Sequence, residues 1–314
     1  MNAVLRLGFA AVVMILVESA AGTAQGALTV RVATPPFDSG AQAFFATDKG
    51  FFKRAGLQVD LTVLGSSAIA PAIASGTVDI AQSTIATLAS AREHGQPFVV
   101  FAPSTIFSVK VPSTAGIVVG KNFSMRTGRD FNGKTVAVSQ LQGIAQVTVE
   151  NWIDKTGGDS TTVKFIEIPP AAMTAALESG RVDAIETVEP FLDEAIRAGQ
   201  HNLTSGYEAV ANEFAIGAWY CTSSYASSHP EVLRRYAQAM AESARWANRN
   251  PREASEILAK WTKQQLSATI PPSLYGERLT PALIQPLIDV SAKYRTLKAT
   301  FPAQEMIAPG MSGK

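Results

Sequence analysis

The stretch Ser-Gly-Thr-Val-Asp-Ile-Ala at residues 75–81 returns as Ser-Gly-Arg-Val-Asp-Ala-Ile at residues 179–185. The two copies lie about 104 residues apart, a spacing that suggests a duplicated structural unit. Three further pairs of segments keep this offset to within a residue: 31–33 with 135–137, Gly40 with Gly143, and 60–64 with 164–168. Because order and spacing are both kept, the chain contains an internal repeat.

Each copy of the repeat predicts strands that alternate with helices. Apolar and polar residues alternate over residues 57–63, which is typical of a half-covered strand. Four predicted helices each end at a glycine, and Ser39 is the candidate N-cap of the first: residues 41–49, 67–75, 144–156 and 171–179. The pattern therefore predicts an α/β fold with two parallel-sheet units. Duplication within one larger sheet, without a cleft, is the alternative.

The last third of the chain predicts helices. Apolar residues recur at three- and four-residue spacing between residues 230 and 261, and Asn250 and Pro251 interrupt the pattern. A helical C-terminal tail after two α/β units is well placed to cover one of them and to leave the other free.

The N-terminus has the three parts of a secretory signal peptide. Met1 and Arg6 are positively charged, residues 7–17 are apolar, and residues 20–24 are small. The apolar run is shorter than the roughly 20 residues that a membrane-spanning helix needs, and no cysteine follows it to receive a lipid. We expect residues 1–24 to be removed and the product to be periplasmic. A buried first helix is the alternative.

Composition excludes several classes of function. Lys and Arg together number 27 against 26 Asp and Glu, so neither nucleic acid nor an anionic membrane is an expected partner. Cys221 is the only cysteine, which excludes an internal disulfide and a thiolate metal cluster. The histidines at 94, 201 and 229 have the pattern of surface or loop residues. We predict no metal site, no cofactor and no catalytic residues.

Five short motifs resemble a known family. They are ATDKGFFKRAGLQV at 46–59, ASGTVDI at 74–80, GIVV at 116–119, DFNGKTVAV at 130–138 and EPF at 189–191. Together and in this order they resemble the type II periplasmic binding proteins of the nitrate, sulfonate and taurine importer group, which includes thiamine-precursor-type binders. Residues 124–127 depart from the acidic, proline-containing loop usual in that family.

The resemblance implies a type II periplasmic-binding-protein fold, with two α/β lobes and a ligand cleft between them. It implies a monomer that delivers a small molecule to an ABC permease. The expected lobe 1 comprises residues 25–111 and 216–314, and the expected lobe 2 comprises residues 112–215. The chain is expected to cross between lobes near residues 101–112 and to return near residues 214–222.

Ligand contacts are predicted in loops at the carboxyl ends of the strands, where helix N-termini expose unpaired amides. Six loops qualify: 34–42, 65–68, 82–84, 139–145, 169–171 and 186–190. If the repeat is a pseudo-twofold, Gln82 and Ser83 correspond to Glu186 and Thr187 and face them across the cleft. With the return strand included, the predicted ligand-binding residues are Phe37, Gln42, Ser66, Ser67, Gln82, Ser83, Ser139, Gln142, Gly143, Ile144, Glu186 and Trp219.

None of these six loops contains Arg or Lys. A binder of dicarboxylates or ordinary amino acids usually presents a guanidinium, whereas Glu186 and Asp38 offer carboxylates here. This favours a ligand with an amine or N–H donors, such as an aminosulfonate or a pyrimidine-like heterocycle. Alternatives stay open: Glu186 and the serines are also candidates for helix caps, and Phe37, Phe107 and Trp219 for core residues rather than stacking walls.

Three classes of function follow from these observations. The leading one is an extracytoplasmic solute-binding protein of an ABC importer, which is not an enzyme. The second is an enzyme on the same scaffold, similar to a pyrimidine-precursor synthase. The third is a ligand-sensing receptor subunit. The sequence does not identify the ligand.

Overall fold

The described part of the chain is an alternation of strands and helices, as predicted. The computed structural model describes residues 28–122, 124–263 and 273–311, so the predicted signal peptide at 1–24 lies outside the described residues. Within those ranges, no helix is both long enough and apolar enough to cross a membrane.

Strands in the described residues are grouped into three sheets. In chain order they are β1 (Leu28–Thr34), β2 (Leu57–Val63), β3 (Ile80–Thr84), β4 (Phe98–Pro103), β5 (Thr105–Ser108), β6 (Ala115–Val119), β7 (Thr135–Val138), β8 (Lys164–Glu167), β9 (Ala184–Val188), β10 (His201–Thr204), β11 (Glu213–Ala215), β12 (Gly217–Thr222) and β13 (Leu274–Tyr275).

The described residues contain eleven α-helices, and the four that were predicted to end at a glycine match their predicted boundaries to within a residue. They are α1 (Gln42–Asp48), α2 (Phe51–Arg54), α3 (Ser66–Ala74), α4 (Ile85–Glu93), α5 (Ile144–Lys155), α6 (Pro170–Glu178), α7 (Phe191–Arg197), α8 (Ser223–Ser228), α9 (Pro230–Arg249), α10 (Pro251–Thr262) and α11 (Pro281–Lys293). The prediction that Ser39 caps the first helix is wrong, because Ser39 lies inside a 3-10 helix and Ala41 precedes α1.

Two five-stranded sheets have the same strand order. The first is β2-β1-β3-β12-β4 and the second is β8-β7-β9-β6-β10. We name the first sheet with its helices lobe 1 and the second lobe 2. The alternative of one larger sheet is therefore wrong. Each sheet also departs from the all-parallel expectation, since β12 and β6 run antiparallel to both of their neighbours.

The register of the two sheets confirms the repeat. Val32 pairs with Ile80 in lobe 1, and Val136 pairs with Ala184 in lobe 2. The amide of Asp79 donates to the carbonyl of Arg31, and the equivalent bond in lobe 2 runs from Asp183 to Thr135. Each of these residues keeps the offset of about 104, so the repeat extends to individual hydrogen bonds.

A small third sheet stands between the lobes. Its order is β11-β5-β13, with Phe107 opposite Phe214 and Ile106 opposite both Ala215 and Leu274. The strand β5 lies within the segment predicted to cross between lobes, and β11 lies at the start of the predicted return. We name β5, β11 and β13 the hinge sheet.

The C-terminal helices pack mainly on lobe 1, as predicted for the tail. Leu233, Tyr236 and Met240 of α9 share a core cluster with Val30 of β1 and Phe52 of α2. The helix α11 differs, because it also reaches α5 of lobe 2. There the hydroxyl of Tyr294, which follows α11, donates to Asp154 Oδ2 at 2.8 Å, and Lys293 Nζ donates to Asn151 Oδ1 at 3.1 Å.

Candidate ligand-binding site

The ends of β3 and β9 are joined to the segments that run from the hinge sheet. The amide of Ile85, directly after β3, donates to the carbonyl of Ile216 at 2.9 Å. In lobe 2 the amide of Glu189, directly after β9, donates to the carbonyl of Thr114 at 2.9 Å. The carboxyl ends of these two strands, where α/β sheets bind ligands, are therefore both next to the hinge.

Asp38 occupies the loop after β1 and is held from two other segments. Ser273 Oγ donates to Asp38 Oδ2, and the hydroxyl of Tyr275 donates to the Asp38 carbonyl at 3.1 Å. The side chain of Thr114, from the segment before β6, bonds the same carboxyl. Burial raises the pKa of Asp38 despite these hydrogen bonds, which favour the charged form.

A narrow cleft lies beside Asp38. Its volume is about 10 Å³, which is room for one water molecule. Thr105 of β5 lines this cleft together with Thr114 and Ser273, the two side chains that bond Asp38. Thr105 Oγ1 is buried and has no hydrogen-bond partner among the described residues. The cleft therefore runs along the hinge sheet and has a polar wall.

Glu186 is the most deeply buried carboxyl in this region, with 1% of its surface exposed. It lies on β9 opposite Ile117 of β6, and Oε1 has no hydrogen-bond partner in the described part of the chain. Burial raises the pKa of Glu186 to about 8, so the carboxyl is mostly neutral at pH 7. An unpartnered buried carboxyl oxygen is costly and needs an explanation in a native fold.

Glu186 lies on the face of β9 that packs beneath α5 at one end and against residues of the hinge sheet at the other. Side chains alternate along a strand, so Glu186 shares a face with Ala184 and Val188. Val188 packs against the core cluster that contains Phe107 and Tyr207. Thr187 points to the opposite face by the same rule. Of the predicted pair Glu186 and Thr187, only Glu186 therefore shares a face with Val188.

Tyr207 lies close enough to one carboxyl of each lobe for both to affect its pKa. It lies in the 3-10 helix Tyr207–Ala209 and packs edge-on against Phe107 of β5 with ring centroids 5.6 Å apart. Burial raises the pKa of Tyr207, and the charges of Glu186 and Asp38 raise it further. Both carboxyls therefore act on one phenol. We name Asp38, Thr105, Glu186 and Tyr207 the hinge cluster.

Glu189 takes the capping role that was the alternative for Glu186. The amide of Asp193, in the first turn of α7, donates to Glu189 Oε2 at 3.0 Å. Burial raises the pKa of Glu189 to about 7, and the charge of Asp38 contributes in the same direction. Arg197 lowers the pKa of Glu189 slightly, but this guanidinium is itself paired with Asp193 at 2.7 Å.

Three predicted site residues are held by contacts inside lobe 1. Trp219 Nε1 donates to Gln42 Oε1 at 2.8 Å, and both residues are fully buried. Trp219 also packs against Tyr236, so it has the surroundings of a core residue. Gln82 is 2% exposed, and its amide donates to Ser104 Oγ at 3.0 Å. Contact of these three with ligand stays a prediction.

The remaining predicted residues lie on or near the surface of the loops. Ser66 and Ser67 are exposed in the first turn of α3, and Phe37 and Ser83 are half-buried. Their contact with ligand also stays a prediction, as does the expectation that Gln82 and Ser83 face Glu186 and Thr187 across the cleft. The correspondence of Gln82 with Glu186 is confirmed. Gln82 pairs with Trp219 of β12, and Glu186 pairs with Ile117 of β6, which holds the same place in its sheet as β12.

The loop before α5 was predicted to offer free amides to an anion. Ser139 and Gln142 are exposed, Gly143 precedes the helix, and Ile144 begins it. The amide of Gln142 donates to Gln146 Oε1 at 2.9 Å. The neighbouring Leu141 amide donates to Glu167 Oε2 at 3.4 Å, and this carboxylate disfavours an anion at the same place.

Sequence patterns did not indicate Thr105 or Tyr207 as residues near the hinge. Thr105 falls inside the predicted crossing segment but carries no local signal that its hydroxyl is buried without a partner. Tyr207 follows Gly206, which has a φ of 75°, and this turn places the ring beside the hinge. A Gly-Tyr pair alone does not predict that placement.

Cys221 lies at a position unsuited to nucleophilic chemistry. It is fully buried on β12, and burial raises the pKa of the thiol to about 12. The reactive form of cysteine is the thiolate, which is scarce at neutral pH for such a group.

Known proteins with similar sequences and folds include several binding proteins. The taurine-binding periplasmic protein of Escherichia coli K12 is 25% identical over 266 residues, which cover 83% of this chain and 78% of that protein. The aliphatic sulphonate binding protein SsuA of Escherichia coli superposes with a TM-score of 0.74 at 17% identity, covering 91% of this chain and 94% of SsuA. The nitrate-binding protein NrtA of Synechocystis PCC 6803 gives a TM-score of 0.72 at 16% identity, with coverages of 90% and 86%.

A protein-family model matches most of this sequence. The model described as NMT1/THI5 like matches residues 40–254. This range includes every strand of the two five-stranded sheets except β1. The structural neighbours share the fold of periplasmic binding proteins, as the resemblance implied. The chain therefore belongs to the NMT1/THI5-like family and has the periplasmic-binding-protein fold.

Proposed function

We propose that the mature chain is the periplasmic solute-binding component of an ABC importer. It captures one small polar molecule between its lobes and delivers that molecule to a permease in the inner membrane. The ligand classes that fit are an aminosulfonate or sulfonate and a pyrimidine-like heterocycle. We further propose that it acts as a monomer, with lobe boundaries near residues 111 and 215.

The observation that carries this proposal is the hinge cluster. Glu186 Oε1 and Thr105 Oγ1 are buried polar atoms without partners among the described residues; Glu186 lies on β9 of lobe 2, and Thr105 lies on β5, which follows β4 of lobe 1 and precedes β6 of lobe 2. Buried polar groups normally have partners, so a ligand that supplies them is the simplest account. Pockets at the junction of two α/β units are a common place for such ligands.

A binding role is supported over catalysis by the chemistry of the described residues. Cys221 has a raised pKa and is fully buried. The relatives named above are binding proteins by their descriptions, and those described as periplasmic agree with the proposed location. An importer component needs tight reversible capture and hinge closure rather than bond chemistry.

The test is ligand binding by the purified mature protein. We expect at least one member of a panel of sulfonates, aminosulfonates and aminopyrimidines to raise the melting temperature and to bind with one site per chain in calorimetry. A ligand at 100 times its Kd stabilises the folded state by about 2.7 kcal/mol, which a thermal shift detects easily. A panel in which no compound shifts the melting temperature or produces binding heat contradicts the proposal.

A further inference from the structure

We propose that Lys293 and Tyr294, at the end of α11 in lobe 1, and Asn151 and Asp154, on α5 in lobe 2, hold the two lobes in one relative arrangement. We name these four residues the interlobe brace. The brace concerns the movement of the lobes, which goes beyond the proposed function and does not depend on which ligand binds. It adds a noncovalent connection to the two chain segments that pass through the hinge sheet.

The C-terminal segment fastens α11 to lobe 1. The Gln285 side chain, on α11, accepts a hydrogen bond from the Ala303 amide at 2.8 Å and donates one to the Phe301 carbonyl at 3.1 Å. Further along the chain, the amide of Ala308 donates to the carbonyl of Val100 on β4 at 2.8 Å. Helix α11 also packs on α4, which follows β3 in lobe 1. The helix is therefore tied to lobe 1 on two sides.

The C-terminal half of α5 is fastened to lobe 2 in a similar manner. Asn151 Nδ2 and Lys155 Nζ both donate to the carbonyl of Ala209, at 2.7 Å and 2.6 Å, and Ala209 packs in the core of lobe 2. The amide of Ser160, which precedes β8, donates to Asp154 Oδ1 at 2.9 Å. Asn151 is 3% exposed. The two residues that α5 presents to α11 are therefore held in place by their own lobe.

The hydrogen bonds of the brace run from one lobe to the other. The hydroxyl of Tyr294 donates to Asp154 Oδ2 at 2.8 Å, and Lys293 Nζ donates to Asn151 Oδ1 at 3.1 Å. Burial raises the pKa of Tyr294, so its hydroxyl keeps the proton that it donates. Lys293 is exposed, which weakens its contribution, whereas Tyr294 is half-buried. The Tyr294 bond is therefore expected to be the stronger of the two.

Asp154 accepts this bond as a charged group. Burial raises its pKa, but the hydrogen bonds from Ser160 and Tyr294 and the charge of Lys293 outweigh burial, so the pKa of Asp154 lies below its usual value. The carboxylate is therefore ionised at neutral pH. Hydrogen bonds to an ionised acceptor are roughly twice as strong as those between neutral groups.

An apolar contact between the lobes accompanies the brace. Val147 of α5 belongs to the same core cluster as Ile284, Leu287 and Ile288 of α11 and Phe214 of the hinge sheet. This cluster is continuous from one lobe to the other. Closely packed surfaces change between discrete arrangements rather than deforming continuously, so lobe 2 must slide or separate here if it rotates about the hinge sheet.

The brace lies away from the predicted ligand loop on the same helix. Helix α5 begins at Ile144, directly after the loop at 139–143, and Asp154 lies about 15 Å further along the helix axis. A rotation of lobe 2 moves both ends of α5, whereas α11 stays with lobe 1. Breaking or keeping the Tyr294 bond therefore contributes to the free-energy difference between one lobe arrangement and another.

Distances between spin labels on the two lobes test the brace in the ligand-free protein. Ala74→Cys on α3 and Ala175→Cys on α6 give exposed attachment sites in lobe 1 and lobe 2, while Cys221 is fully buried and should stay unlabelled. Double electron–electron resonance measures the distance distribution. We expect Tyr294→Phe, which removes only a hydroxyl, to raise the population outside the main wild-type distance about tenfold, because it removes a hydrogen bond to a charged group.

Two further variants assign this effect to the brace. Tyr225→Phe is the matched control, since Tyr225 is also half-buried but stacks on His229 within lobe 1, and it should leave the distribution unchanged. Asp154→Ala should act as Tyr294→Phe does. The double variant should shift little more than either single variant, because both remove the same bond. Circular dichroism checks that each variant is folded.

The possible results decide between the brace and an ordinary surface contact. An unchanged distance distribution in Tyr294→Phe and in the double variant overturns the inference. An equal shift in Tyr225→Phe also overturns it, as do shifts of the two single variants that add fully in the double variant. These measurements need no ligand, so the proposed solute-binding function is decided separately by the binding panel. A protein that shows the expected shift and binds no compound of the panel keeps the brace and loses that function.

Discussion

The two lobes have one backbone plan and two different chemistries at equivalent positions in the middle of their central strands, β3 and β9. Their strand orders match, and Gly76 and Gly180 both close a helix with a φ of 69°. Yet Gln82 is satisfied inside lobe 1, whereas the equivalent Glu186 has an oxygen without a partner in the described residues. The comparison teaches that the repeat preserves backbone geometry, while equivalent side chains differ in whether the protein supplies their hydrogen-bond partners.

The loops before α1 and α5 show the same contrast. In lobe 1, Thr34 Oγ1 donates to the Gly40 carbonyl at 2.9 Å, and a Cβ on Gly40 would approach Thr34 Oγ1 to 2.0 Å. In lobe 2 a Cβ on Gly143 would be no closer than 3.4 Å to any atom outside its neighbours. The loop of lobe 1 is therefore tightly packed, whereas that of lobe 2 has room.

Exchanging the two equivalent side chains should produce the largest effect. Rising pH removes the proton of Glu186 from the unfolded state near pH 4.3 but from the folded state only near pH 8, so the wild type loses stability between these values. Glu186→Gln lacks this loss and should be more stable than wild type at pH 8 by on the order of 3 kcal/mol, with little difference near pH 4.5.

Gln82→Glu should reverse that effect in lobe 1, since it places a carboxyl in a buried site that a glutamine amide now satisfies. Urea unfolding of both variants at pH 4.5 and pH 8 measures the change. If the free energy of unfolding of Glu186→Gln changes with pH as that of the wild type does, Glu186 is not the protonated buried carboxyl that distinguishes lobe 2 from lobe 1.

Substitution of the two loop glycines should distinguish the packed loop from the open one. Gly40→Ala forces the Thr34 hydroxyl or the Pro35 ring to move and should lower the free energy of unfolding by about 2–4 kcal/mol. Gly143→Ala should cost less than about 1 kcal/mol. Chemical denaturation of the two variants compares them directly, and equal costs would remove the distinction between the loops.

The helix-ending glycines should show the smallest and most equal effects. Gly76 and Gly180 both have a φ of 69°, and a Cβ at either position would meet no atom within 4 Å. Alanine at each site therefore pays only the cost of left-handed backbone, about 1 kcal/mol. Thermal unfolding of Gly76→Ala and Gly180→Ala should give the same shift. A twofold difference would show that the backbone equivalence is incomplete.

Features set by local sequence and by the repeat were predictable. The glycines at 76 and 180 marked helix ends, and the offset of about 104 predicted which strands correspond. The antiparallel β12 and β6 were not predicted, because their pairing joins segments far apart in the chain and leaves no periodic signal.

The site was predictable only in part, because burial and partners are tertiary properties. Glu186 and Gln82 were predicted in loops after strands, which is wrong, because the structure places them within β9 and β3. The same reasoning proposed Trp219 and Gln42, which the structure joins to each other inside the core. Sequence position identifies strand ends, but it does not tell which of their side chains already have partners within the protein.

The place of β12 in its sheet has a consequence for how the chain folds as it is synthesised. The five strands of lobe 2 are contiguous between Ala115 and Thr204, whereas the sheet of lobe 1 lacks β12, which stands between β3 and β4, until residue 222 has been made. Until then, the edges of β3 and β4 that will pair with β12 have no partner strand. We therefore expect lobe 2 to complete its sheet first as the chain emerges from its N-terminus onward, and lobe 1, begun earlier, to be completed last.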